Sequence, residues 1–151
     1  MWARLRRFSA LPGAAKSDFV EAALLLPWIR LSLRLRGFRA TQKSLLERAN
    51  PAAAALPETA AAALTEQLCR MVLAASRHSL LRTTCLERSL TLWRLLARRG
   101  VTSQLRIGTS KCEGKFAAHA WVERNGEAIG EPEGTHLHYA AFEKEFGGES
   151  G

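Results

Sequence analysis

Cysteine is scarce in this chain. Three cysteines occur among 151 residues, at positions 69, 85 and 112. Their number is odd and no two of them form a CxxC pair, so a disulfide framework is not expected. Sparse, unpaired cysteines are typical of proteins in a reducing compartment, and we therefore predict a cytoplasmic location.

Long apolar segments are also missing. The run Phe19–Ile29 contains a glutamate and a proline, and it falls well short of the ~20 apolar residues that span a bilayer. The N-terminal sequence MWARLRRFSALPG lacks the apolar core and cleavage site of a secretion signal. A helix lying on a membrane surface remains an alternative, because Trp28, Leu31 and Leu35 alternate with arginines. We predict instead that this helix packs on the domain or on a partner.

The chain has no Gly-rich phosphate loop and no recognisable nucleic-acid motif. Its net charge of +8 is uneven, since residues 1–100 carry 17 Lys/Arg against six Asp/Glu and residues 101–151 carry five against eight. The basic residues lie on helical segments without interleaved exposed aromatics, so no nucleic-acid partner is predicted. Two interpretations stay open, a solvated basic face and a docking surface for an acidic partner.

Periodicity divides the chain into two parts. A length of 151 residues is common for one domain, and we predict a single domain with a helical region over 1–80 and a helix plus antiparallel sheet over 81–151. Apolar residues recur with a helical period over the first hundred residues. The predicted helices run from Ser17 or Asp18 to about Arg36, from 41 to about 49, from Pro57 to near Ser76–Ser79, and from Thr83 or Thr84 to Arg99. An alanine-rich linker is predicted over 52–56.

The last third alternates with a period of two, which indicates strands. We predict a strand near 103–108, a turn over 108–115, a strand over 116–122 and a return strand over 127–131. Asn125-Gly126 between the last two is a strong hairpin signal. Helices followed by an antiparallel sheet make this an α+β domain, in which a central helix beginning near Cys85 packs on the sheet.

Cys85 and His119 are the residues best placed for chemistry. Cys85 follows two threonines that can cap a helix, and unpaired amides at a helix start favour the reactive thiolate and can hold an oxyanion. His119 lies 34 residues later in a predicted strand, where it can act as a base. Taken singly, a small buried cysteine and a hydrogen-bonded core histidine are the alternatives.

The wider context of these two residues is specific. The stretch TCLERSLTLWRLLARRG, followed by LRIG and then AHAWVERNG, resembles the leader peptidases of lasso-peptide biosynthesis. That family belongs to the transglutaminase-like cysteine peptidases and shares a papain-like arrangement of catalytic groups. The resemblance is close over about residues 80–131.

The resemblance implies a cysteine endopeptidase that removes the leader from a ribosomally made precursor peptide. Cys85 would be the nucleophile, and His119 the base and later the acid. The family's third member is usually an aspartate twelve residues after the histidine, and here Glu131 occupies that position. No cofactor is implied.

The implied partners are the precursor's leader segment, a separate winged-helix leader-recognition protein and an ATP-dependent lasso cyclase. A separate recognition protein is expected because residues 1–80 show no β-alternation of the winged-helix kind. Two other functions remain open: transglutaminase-like acyl transfer to an amine, and an inactive scaffold that joins the precursor to the maturation proteins.

The hairpin register decides whether Glu131 reaches His119. With a two-residue loop at Asn125-Gly126, Glu131 faces Ala120 and its carboxylate points away from the imidazole. With a three-residue loop over 124–126 and a G1 bulge, Glu131 faces His119 at a Cβ separation of ~5 Å. We predict the second register, because it satisfies the chemistry.

Other candidate residues have weaker support for a functional role. Glu133 or a backbone carbonyl would orient the histidine if Glu131 did not. Cys112 is predicted to be a bystander thiol in an exposed turn, and Cys69 a core residue. His136 and His138 form an HxH pair, but two ligands without a third are weak support for a metal, so no metal site is predicted.

Overall fold

The computed structural model describes residues 12–47, 56–112, 115–131 and 135–141. The helices are α1 (Gly13–Glu47), α2 (Glu58–His78) and α3 (Cys85–Arg98). The strands are β1 (Gln104–Cys112), β2 (Lys115–Arg124), β3 (Glu127–Ile129) and β4 (Ala140–Ala141), with a 3₁₀ helix over Thr135–His138 before β4. This order of three helices and then an antiparallel sheet confirms the predicted α+β class. The predicted linker over 52–56 lies almost wholly outside the described residues.

Helix α1 is kinked at Gly37, where φ is 77° and ψ is 176°. The predicted break at this glycine is therefore confirmed. The predicted start at Ser17 or Asp18 is wrong, because α1 begins at Gly13. Asp18 is a buried side chain that pairs with Arg99 and accepts a hydrogen bond from Gln67 at 2.6 Å. Its role is to tie α1 to the end of α3 and to α2, and this contact is not visible in local sequence.

The core lies between the three helices and one face of the sheet. Helix α3 is buried along most of its length, as its many leucines predict. It contacts α1, α2, β1 and β2, and so occupies the centre of the domain. The most deeply buried apolar side chains come from all three helices and from β1 and β2, among them Leu26, Ile29, Leu68, Leu90, Leu95, Leu96, Leu105 and Val122.

The sheet has the order β3-β2-β1-β4, and every described pair is antiparallel. Strand β1 extends to Cys112, so the predicted turn over 108–115 is wrong. Gly108, taken as the start of that turn, lies inside β1 opposite His119. A Cβ at this position would lie 2.9 Å from the Trp121 ring and 2.9 Å from the Ala140 carbonyl oxygen. The glycine is there because two neighbouring groups approach its backbone closely.

The β2–β3 hairpin has a two-residue loop. Arg124 pairs with Glu127, while Asn125 has φ 53° and Gly126 φ 80°, the left-handed pair of a type I′ turn. The predicted three-residue loop with a G1 bulge is therefore wrong. The twist of a type I′ turn matches that of the strands it joins, and this local preference decided the register.

Candidate active site

Cys85 is the first residue of α3 and is half-buried. Thr84 caps this helix, as the two threonines in the sequence predict, and it forms a complete capping box with Glu87. The Thr84 side chain accepts from the Glu87 amide at 3.2 Å, and the Glu87 carboxylate accepts from the Thr84 amide at 2.9 Å. This box fixes where the helix begins and therefore fixes the position of the thiol.

The capping box also determines which amides stay available. Of the first-turn N–H groups, that of Glu87 is taken by Thr84, and that of Arg88 bonds the Thr84 carbonyl at 3.2 Å. Within the part of the chain that the structure describes, the amides of Cys85 and Leu86 have no hydrogen-bond partner. Two N–H groups thus remain beside the thiol at the positive end of the helix.

The loop before Cys85 is held from two sides. Arg30 of α1 donates to the Arg82 carbonyl at 2.9 Å and lies 3.9 Å from the Glu87 carboxylate. The hydroxyl groups of Ser76 and Thr83 bond to each other across the loop. The Glu87 side chain is buried, so its charge needs the cation beside it. Arg30 therefore links α1 to the start of the cysteine helix.

Strand β3 ends early, and this opens the edge of β2. Its last paired residue is Ile129, opposite Val122. Ala120 lies beyond that pair, and its carbonyl accepts instead from the Ser89 hydroxyl at 2.8 Å in a buried bond. Ser89 is one turn after Cys85 on the same side of α3. This bond anchors the first turn of α3 beside the residue that follows His119.

His119 and Glu131 are in contact despite the unexpected register. Nε2 of His119 and Oε2 of Glu131 are 2.5 Å apart, and both side chains are largely buried. The two-residue loop would have set Glu131 on the face opposite to His119 if β3 had continued. Instead the chain turns at Gly130, where φ is 74°, and the regular alternation stops. The carboxylate reaches the ring because the strand ends.

Two aromatic rings hold the imidazole. Trp121 stacks on His119 with ring centroids 6.0 Å apart, and Tyr139 lies against it at 5.0 Å. The Trp121 indole donates to Glu123 at 2.9 Å, and Glu123 lies 3.4 Å from Arg106. Nε2 of the ring is bound by Glu131, and among the described residues Nδ1 has no hydrogen-bond partner.

The structure joins His119 to Glu131 directly, and it joins Cys85 to them through Ser89 and Ala120. Among the described residues, Cys85 makes no hydrogen bond to His119. Such contacts often form only once a substrate is bound.

The site residues lie within the part of the chain that matches a family model. A family model described as the transglutaminase-like superfamily matches residues 23–143. The chain belongs to this superfamily. No curated protein and no solved structure gives a significant match to it. Transglutaminase-like proteins are typically cysteine peptidases or acyltransferases, and the matched range contains the cysteine helix, the histidine strand and Glu131. Membership in the superfamily supports a cysteine enzyme.

The other cysteines differ from Cys85. Cys69 of α2 lies under Gly130, and burial raises the pKa of its thiol to about 11. It is therefore a protonated thiol at neutral pH, as expected of a residue packed toward the core. Cys112 ends β1 rather than lying in a turn, and its side chain is outside the described part. Glu133 and the side chain of His136 also lie outside the described part.

In the described residues no three His, Cys, Asp or Glu side chains cluster as metal ligands would. No helix in that part of the chain is long and apolar enough to cross a bilayer.

Three features of this transglutaminase-like site were missed by sequence reasoning. They are the turn at Gly130, the ring of Tyr139 and the anchoring role of Arg30. Gly130 follows an apolar residue in a predicted strand, and a glycine there is a signal for a strand that stops or bends. Tyr139 is the sole tyrosine of the chain, which gives no pattern to interpret. Arg30 acts across 52 residues of sequence, so no local signal exists for it.

Proposed function

We propose that this chain is a cysteine endopeptidase that removes the leader from a lasso-peptide precursor. The observation that carries the proposal is the pairing of His119 with Glu131 beside a helix whose capped first residue is Cys85. Superfamily membership supports the cysteine chemistry, and the resemblance of residues 80–131 to leader peptidases supports the substrate class.

The chemistry begins with a proton transfer. His119 Nδ1 takes the proton of the Cys85 thiol, while Glu131 holds Nε2–H and stabilises the imidazolium that forms. The thiolate attacks the carbonyl carbon of the scissile peptide bond. The amides of Cys85 and Leu86 are the donors available for the oxyanion that develops.

Collapse of the tetrahedral intermediate breaks the carbon–nitrogen bond. His119 gives its proton to the leaving amine, which departs with the peptide that begins at the new N-terminus. A thioester between Cys85 and the leader remains. Water, deprotonated by His119, then attacks this thioester and releases the leader carboxylate and the free thiol.

The proposed partners are the precursor leader, a separate winged-helix leader-recognition protein and an ATP-dependent cyclase. The separate recognition protein is part of this proposal because the resemblance of residues 80–131 to leader peptidases implies it. The cyclase would consume the N-terminus that cleavage releases.

Acyl transfer to an amine is the second candidate, favoured by the superfamily itself. Both reactions pass through the same thioester and differ in the acceptor. The mass of the leader product separates them, since hydrolysis adds water and aminolysis adds the amine.

The test is incubation of the chain with lasso-peptide precursors, each with and without its leader-recognition protein, followed by mass spectrometry. We expect a hydrolysed leader and a core peptide, faster with the recognition protein present. Cys85→Ala should abolish both products and keep the circular dichroism spectrum, whereas Cys112→Ala should cleave as the parent does. Cleavage by Cys85→Ala would exclude this nucleophile.

A further inference from the structure

A cavity of about 460 Å³ lies beside the catalytic residues. It is bounded by α2, by α3 and by the chain that follows β3, and that volume is typical of a ligand site. Its lining includes Ser89, one turn after Cys85, and Glu131, which binds His119. Neither Cys85 nor His119 lines it, so the cavity adjoins the reacting groups without containing them.

The floor of this cavity is apolar and its rim is basic. Val72, Leu92 and Ile129 supply the floor, while three arginines, at positions 70, 77 and 88, stand around it. Glu131, the acidic side chain of the lining, is already bound to His119. The electrostatic character of the cavity is therefore cationic.

Two of these arginines have no ion-pair partner among the described residues. Arg70 forms an ion pair with Glu66, whose carboxylate lies 2.7 Å from its guanidinium group. In the described ranges, by contrast, Arg77 and Arg88 have no ion-pair or hydrogen-bond partner for their side chains. Arg88 is half-buried, and a half-buried guanidinium without a carboxylate gains more from an anionic ligand than an exposed one does.

We propose that this cavity binds the substrate chain next to the scissile bond and selects an acidic side chain flanked by apolar ones. The acidic group would bind Arg77 and Arg88, and the apolar neighbours would cover the floor. Charge complementarity and the short path from Ser89 to Cys85 carry this inference. It rests on the proposed peptidase function for the statement that the ligand is a peptide.

The test measures binding apart from cleavage. Two pools of end-capped pentapeptides carry a neutral fluorophore and vary among Ala, Val, Leu and Ser at four positions, with Glu fixed at the centre in one pool and Gln in the other. Affinity is measured by fluorescence anisotropy on Cys85→Ala, which retains the cavity but not the thiol. We expect the Glu pool to bind roughly tenfold more tightly, as two partly exposed ion pairs would give.

Paired variants identify the cations responsible. Arg77→Gln with Arg88→Gln should reduce the preference for Glu to less than about twofold. Arg34→Gln with Arg36→Gln removes the same charge from exposed positions of α1 and should keep the preference. Equal affinity of the two pools, absence of binding by both, or a Glu preference that survives the Arg77/Arg88 change would overturn the inference. Failure to cleave any precursor would instead count against the proposed function and leave the binding result standing.

Discussion

The two ends of the β2–β3 hairpin follow different rules. At the turn end, Asn125 and Gly126 form a tight type I′ turn and Arg124 pairs in register with Glu127. At the other end, pairing stops after Ile129 and the backbone turns at Gly130. Local backbone preference accounts for the type I′ turn and the register at the turn end. At the second end the ladder is replaced by contacts with α3 and by the bond from Glu131 to His119.

The difference shows how this sheet accommodates the His119–Glu131 pair. Continued pairing would place Glu131 opposite Ala120, with its carboxylate on the wrong face. Ending the strand frees both groups, since the Ala120 carbonyl bonds Ser89 and the Glu131 side chain bonds His119. The site thus depends on where β3 ends more than on the register of the hairpin.

The largest effect is expected at Glu131. Glu131→Gln keeps a hydrogen-bond acceptor but removes the charge that stabilises the imidazolium, so the cleavage rate should fall roughly 10²–10⁴-fold. Glu127→Gln, an exposed change at the other end of β3, is the matched control and should leave the rate unchanged. Rates come from mass spectrometry of the precursor. A Glu131→Gln enzyme within twofold of the parent would show that the carboxylate does not serve the reaction.

Gly130 and Gly126 provide the closest comparison between the two ends. Both have a positive φ, 74° and 80°, so alanine costs about 1–2 kcal/mol of backbone strain at either position. At Gly126 nothing lies within 4 Å of the added Cβ, whereas at Gly130 it would meet Leu92 at 3.1 Å and the Cys69 sulfur at 3.3 Å.

We therefore expect Gly130→Ala to lower the free energy of unfolding by about 2–4 kcal/mol, and Gly126→Ala by about 1–2 kcal/mol. Urea denaturation measures both. Only Gly130→Ala should also slow cleavage, because it displaces the residue before Glu131. Equal loss of activity in the two variants would mean that the hairpin acts as one unit and that its site end has no separate role.

How far the sequence predicted this structure depends on whether the deciding contact was local. The helix start at Cys85, the break at Gly37 and the turn at Asn125-Gly126 were all predicted correctly in position, since each rests on neighbouring residues. The predicted loop length was wrong because it rests on the chemistry of Glu131, whereas turn preference decides the register.

The errors at Gly108 and Asp18 share one physical cause. Gly108 was assigned to a turn, although it lies in a strand where Trp121 leaves no room for a side chain. The sequence predicts Asp18 as a cap, but Asp18 is paired with Arg99 across 81 residues. Such assignments depend on residues that become neighbours only on folding, and a single sequence does not record them. The catalytic roles of Cys85, His119 and Glu131 stay predictions.

A smaller effect is expected from Ser89→Ala, which removes the bond to the Ala120 carbonyl. A buried carbonyl left without its donor costs about 1–3 kcal/mol, and the first turn of α3 would lose its anchor beside β2. Ser103→Ala is the matched control, since within the described ranges the Ser103 hydroxyl is buried and has no partner. Thermal unfolding should separate the two variants. A Ser103→Ala loss as large as that of Ser89→Ala would contradict the anchoring role.

The smallest effect is expected at the turn end, where Glu58 of α2 binds the hairpin. Its carboxylate lies 2.7 Å from Arg124 and accepts from the Asn125 side-chain Nδ2 at 3.2 Å. The Glu58 side chain is 69% exposed, so water and salt screen the pair, and Glu58→Gln should cost about 0–1 kcal/mol. The loss should vanish in 1 M salt, and cleavage should not change. A clear loss of activity in Glu58→Gln would show that the turn end transmits strain to Gly130 and Glu131, and the separation between the two ends of the hairpin would fail.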